Sequence, residues 1–90
     1  MTADKNPAIR EALLQVVENQ ISSLDPPETK QTYERLLGEG YGEEETRSFL
    51  AAAILIEMNK MMKTMEPFNR QRFIAFLHAL PDSLDQEEDD

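Results

Sequence analysis

The chain has 90 residues, eighteen acidic against nine basic side chains, a formal net charge of −9 and no cysteine. This length suits one domain, and an apolar fraction of 40% with 30% charged residues is ordinary for a globular fold. Without cysteine there is no disulfide framework, thiolate zinc centre or cysteine nucleophile. The bases are scattered rather than clustered, which argues against direct binding to nucleic acid.

The longest apolar run, Phe49 to Ile56, would span about 12 Å as a helix, far short of the roughly 30 Å of a bilayer core. Residues Met1 to Asn6 lack the basic and apolar regions of a secretory signal, so a cytoplasmic protein without membrane contact is expected. Charge is concentrated at the C-terminus. Residues 82–90 hold six acids and no base, leaving twelve acids against all nine bases elsewhere. Such a segment offers too little apolar surface to offset the entropy of ordering, and a disordered acidic tail is predicted over 82–90. A disordered N-terminus at 1–5 and a single helical domain at 6–81 complete the expected organisation.

Asn6-Pro7 opens the first predicted helix, since asparagine caps and proline suits the first helical position. Ile9, Leu13, Val16, Val17 and Ile21 recur at helical spacing, and the helix is expected to end near Ser22, before Asp25-Pro26-Pro27 breaks the pattern. Asp25 and Glu28, three apart, form a capping-box-like pair for a short second helix beginning at Pro26. Tyr33, Leu36 and Leu37 should face inward, and Gly38 or Gly40 should stop it. A third helix from about Glu43 to Lys63 has acids in its first turn and lysines in its last, as the macrodipole favours. Its Phe49–Ile56 centre is apolar nearly all round and should therefore be covered on most sides. Met58, Met61, Met62 and Met65 continue its stripe. Asn69 caps the last helix, Phe73, Phe76, Leu77 and Leu80 form its buried stripe, and Pro81 ends it. The fold class is all-α, about four helices in a small bundle around a long third one.

About 75 ordered residues lie near the size at which one core rarely supplies more than about 3–5 kcal/mol. Surplus apolar surface would be satisfied by self-association, usually as a two-fold dimer, and methionine adapts to irregular partner surfaces. The candidate interface residues are Met58, Met61, Met62, Met65, Phe73 and Phe76.

Candidate chemistry is sparse. Glu18 and Glu57 each follow apolar residues on a packed helix, and inward glutamates on neighbouring helices are how bundles build carboxylate metal sites. Glu44 or Glu45 could supply a third carboxylate. Against this, Glu57 could bond structurally to Tyr33, Arg35 or an amide, and a di-iron bundle needs a Glu-x-x-His pair on each of two helices, whereas His78 is the only histidine. His78 itself has no orienter nearby in sequence, and Ser48 lies outside any nucleophile motif. No catalytic residue and no cofactor are assigned.

Asn6-Pro7-x-x-Arg10, Val16-Val17-Glu18-Asn19-Gln20, Asp25-Pro26-Pro27-Glu28-Thr29, Arg35-Leu36-Leu37, Gly40, Glu45 and Pro67-Phe68 together make the chain resemble a family of small uncharacterised bacterial all-helical domains, over most of residues 6–81. The resemblance implies the helical fold and no established activity. Some of those relatives carry histidines along helix one and at the start of helix three. The corresponding positions here are Arg10, Leu14, Glu44 and Ser48, so the resemblance implies that a metal site of that kind is largely lost.

The expected function is thus non-enzymatic: a helical protein–protein interaction module or homodimeric adaptor. The alternative is a carboxylate-based metal- or small-molecule-binding bundle using Glu18 and Glu57.

Overall fold

A computed structural model describes residues 7–85. The stretch expected to be disordered at 1–5, and residues 86–90 of the expected tail, lie outside the described residues. The architecture is all-α, with α1 (Pro7–Ser23), α2 (Pro27–Gly38), α3 (Glu43–Thr64), α4 (Arg70–His78) and a single turn, α5 (Asp82–Asp85). Among the described residues there is no strand. Helices α2 and α3 each pack against three other helices, while α1 and α4 flank this central pair.

The breaks follow from backbone chemistry. Pro26 holds φ −79° and ψ 152°, the extended conformation that a following proline imposes, so α2 begins at Pro27 rather than Pro26. The expected capping box does not form. Pro26 occupies the cap position with no side-chain cap bond, the Asp25 carboxylate instead accepts from Arg70 Nη1 at 3.3 Å, and Glu28 Oε1 is buried without a hydrogen-bond partner. Helix α2 closes in a Schellman arrangement. The Tyr41 N–H donates to Leu36 O and the Gly40 N–H to Leu37 O, with Gly40 at φ +106°, where the absence of Cβ removes the steric penalty. Asn69 caps α4, its side chain accepting from the Arg72 N–H at 2.9 Å.

The core comprises Leu13 and Val17 of α1, Leu36 of α2, Leu50, Ala51, Ala53 and Ile54 of α3, and Phe73, Leu77 and Leu80 from the C-terminal third. The apolar centre of α3 is covered as its pattern requires: α1, α2 and α4 all pack on this helix, and Leu50 is fully buried. Three threonines, Thr29, Thr32 and Thr46, are also buried. On α1 the apolar pattern is only half used, with Leu13 and Val17 inside but Ile9 and Val16 exposed.

Three expectations need correction. Phe73 is 2% exposed and belongs to the core, not to an interface, because Phe73, Leu77 and Leu80 stand at the i, i+4, i+7 spacing of one inward face. Phe76 is partly buried and packs on that core. The methionines do not continue the buried stripe of α3: Met58, Met62 and Met65 are exposed and Met61 is half-buried. Helix α3 has 22 residues and α4 only 9, about 33 Å against about 14 Å, so the last turns of α3 run beyond cover. Finally, residues 82–85 are helical rather than tail. Ser83 is buried, its hydroxyl donates to Phe76 O at 3.0 Å, and Leu84 packs against the core.

Leu50→Ala is expected to cost about 2–5 kcal/mol, comparable to the whole stability of a core this size, and to unfold most of the protein in a thermal melt followed by circular dichroism. Met62→Ala, by contrast, removes no core contact and, in melts recorded at high dilution where any pairing is dissociated, should leave the melting curve within about 0.5 kcal/mol of the parent.

Candidate functional site

The buried positions of α3 are Thr46, Leu50, Ala51, Ala53, Ile54 and Glu57. Their spacing of three and four residues carries the inward stripe past the apolar run and onto a carboxylate, so Glu57 is buried because the helix period puts it there. Only 4% of it is exposed. Its two oxygens are claimed by α4: Arg72 Nε donates to Oε1 at 3.0 Å, Arg72 Nη2 to Oε2 at 2.7 Å, and the Asn69 N–H to Oε2 at 3.2 Å. This is a bidentate guanidinium–carboxylate pair, reinforced by a backbone donor at the helix cap. Burial pushes the Glu57 carboxyl up, but the Arg72 and Asn69 hydrogen bonds and the positive charges of Arg72 and Lys60 outweigh it, leaving the group below its usual value.

The sequence reading offered Tyr33, Arg35 or an amide as structural partners for Glu57. The amide is that of Asn69, but the side-chain partner is Arg72. Arg35 is engaged elsewhere: its Nη2 donates to Leu77 O at 3.1 Å and Leu80 O at 3.0 Å, so it binds the carbonyls at the end of α4, while its Nη1 reaches Glu39 Oε2 at 3.0 Å.

Glu18 forms a separate pair. It accepts from Arg47 Nε on α3, and Arg47 also lies 3.6 Å from Glu43 and stacks over the Tyr33 ring, 5.1 Å from its centroid. The hydrogen bond that Arg47 donates to Glu18 raises the Arg47 pKa against the opposing effect of burial, helped by the negative charges of Glu18 and Glu43. Glu44 is exposed at the start of α3. The carboxylates of Glu18, Glu44 and Glu57 therefore do not converge: two sit on different arginines, and no group of three metal-ligating side chains of the His, Cys, Asp and Glu types occurs among the described residues. Of the positions where the family resemblance implied a lost site, 10 and 48 do face each other, Arg10 Nη2 donating to Ser48 Oγ at 3.0 Å. Beside them Leu14, with Glu11, Gln15 and Glu18, lines an open depression on α1.

The remaining surface feature is apolar. Met58 is 44% exposed, Met62 70%, Met65 86%, Phe68 44% and Leu24 52%. Phe68 tilts against buried Phe73 with centroids 5.6 Å apart, which fixes the loop after α3. The Asp25–Arg70 ion pair ties the α1–α2 turn, and Leu24 with it, to the start of α4. Leu24 and Met65 also share a backbone oddity, at φ +56° and +58°, the left-handed region that costs a non-glycine residue about 1–2 kcal/mol. The sequence gives Leu24 little prominence. Its only signal is an apolar residue, instead of glycine, at the end of a helix.

No protein-family model matches the chain, and neither a curated protein nor a solved structure does. Among the described residues, no helix is long and apolar enough to cross a membrane.

Removing one member of the buried pair should hurt more than removing both. With Arg72 about one-third exposed, Arg72→Leu is expected to cost about 2–4 kcal/mol by stranding the Glu57 charge, and Arg72→Leu with Glu57→Leu much less; urea denaturation in a double-mutant cycle measures the difference. A depressed folded-state pKa means that the pair stabilises fully above the unfolded value of 4.5 and that this contribution disappears as pH falls through the folded value. Stability should therefore drop as the medium is acidified below about pH 4.5, and the drop should shrink in the double leucine variant.

Proposed function

We propose that the protein is a non-enzymatic helical interaction module that pairs with a second copy of itself through the exposed face of Met58, Met62, Met65 and Phe68, with Leu24 at its edge. The observation that carries this reading is the pair of left-handed residues. Leu24 and Met65 both keep large apolar side chains in water, at backbone angles that glycine would adopt without strain. The left-handed angle ends each helix, but glycine would serve there without strain, so a large apolar side chain kept at such a position points to a use for the side chain.

The spacing supports self-pairing. Met58 and Met62 stand one turn apart on one face of α3, and Met65 follows at its C-terminal cap. In an antiparallel pairing about a two-fold axis, the exposed end of α3 in one copy packs on the same end of α3 in the other. Each contact is then made twice, as an isologous interface requires. The resemblance to small bacterial helical domains is consistent with this architecture and adds no activity. Glu18 and Glu57, the residues of the carboxylate alternative, are each engaged by an arginine, and nothing in their geometry favours that alternative.

Light scattering on the purified chain tests the proposal. A particle of about twice the chain mass of 10.3 kDa is expected at micromolar concentration, and Met62→Asp with Met65→Asp should convert it to a monomer without lowering its helical content. Leu24→Gly and Met65→Gly should each weaken pairing while leaving the monomer as stable as the parent or more so, by up to about 1 kcal/mol. A monomeric parent at high micromolar concentration overturns the reading.

A further inference from the structure

We propose that Met58, Met62 and Met65 also form a binding site for one soft monovalent cation of the Cu(I) or Ag(I) type. Met58 and Met62 stand one turn apart on α3, where side chains four apart lie about 5–6 Å from each other at Cβ, and Met65 follows as the residue that caps the helix. All three are exposed, and the unbranched methionine side chain has three rotatable bonds with which to bring its sulfur toward its neighbours. Thioether sulfur is a soft, uncharged ligand that selects Cu(I)-type ions over magnesium, calcium and manganese.

The surroundings sharpen that selection. Lys60 and Lys63 lie on the same two turns, and a positive surround opposes a divalent cation twice as strongly as a monovalent one. Glu66, just beyond Met65, offers a compensating negative charge. The chain has no cysteine, so no thiolate competes for a soft ion, and its single imidazole, His78, lies at the end of α4. The site is built within one chain. It uses the face assigned above to self-pairing without depending on it.

The full chain is titrated anaerobically with Cu(I) against a competing chelator, and separately with Ag(I) in chloride-free buffer, while the methionine ε-methyl signals are followed by NMR. The methyl signals of residues 58, 62 and 65 should move together and saturate at one ion per chain. Because a thioether takes up no proton, affinity should be the same at about pH 5 and pH 7, whereas an imidazole ligand would lose affinity through protonation across that interval. Met62→Leu with Met65→Leu keeps an apolar face, and so preserves self-pairing, but should weaken binding by at least about tenfold, or 1.4 kcal/mol. Light scattering on the same variant separates loss of the ion site from loss of the dimer. The proposal is overturned by methyl signals that do not move, by movement of the His78 ring signals in their place, by affinity that falls toward pH 5, or by leucine variants that bind as tightly as the parent.

Discussion

A helix that is apolar around most of its circumference cannot rest on one neighbour. Residues 49–56 of α3 impose that condition on the whole chain, because every uncovered side would leave several large side chains in water at about 25 cal/mol per Å². Only α1, α2 and α4 are available to supply the cover, and all three pack on α3. The rest of the architecture follows: short connections, a tight Schellman turn that lets α2 lie beside α3, and a small α4 whose inward face is fully spent on Phe73 and Leu77. The polar links then fix where each helix sits on this surface. Glu57 with Arg72 sets α4, Glu18 with Arg47 sets α1, and Arg35 ties α2 to the end of α4.

These links differ in energetic weight. The Glu18–Arg47 and Asp25–Arg70 pairs are open to water, and exposed pairs contribute little, with a median of about 0–1 kcal/mol. Glu57 is different because its carboxylate is enclosed. A buried pair adds little net stability over an apolar substitute, but it penalises every arrangement in which its charge is stranded. Its effect is to select one docking position for α4 on α3. An all-apolar contact between a nine-residue helix and a much longer one would specify that position less sharply.

Much of this was readable in the sequence, for local reasons. The boundaries of α1 and α3, the cap at Asn69 and the glycine stop after α2 all rest on chemistry within a few residues. Coverage of 49–56 followed from the absence of a polar face. What was missed depends on lengths and on partners distant in the chain. The methionine stripe looked like a continuation of the core because periodicity carries no information on where the neighbouring helix ends. Arg72 was not identified as the partner of Glu57 because fifteen residues and a loop separate them. Asp82–Asp85 looked like tail by composition, yet one buried serine and one leucine suffice to hold that turn against the core. The carboxylate site looked feasible because sequence shows which acids face inward but not which arginines reach them first.

Arg35 and Glu57 share a further property: each is synthesised well before a group in the C-terminal third that it binds. Arg35 precedes its carbonyl acceptors at Leu77 and Leu80 by 42 and 45 residues, and Glu57 precedes Arg72 by fifteen. A chain emerging N-terminus first therefore presents α1, α2 and α3 while the Glu57 carboxylate still lacks Arg72 and the Arg35 guanidinium has Glu39 but not its carbonyl acceptors. Arrival of the last twenty or so residues gives Glu57 its counter-charge, gives Arg35 its carbonyl acceptors and covers the open flank of α3. The C-terminal third is the closing piece of the molecule, and a nascent chain halted before it would be held back from completion by its own unmatched carboxylate.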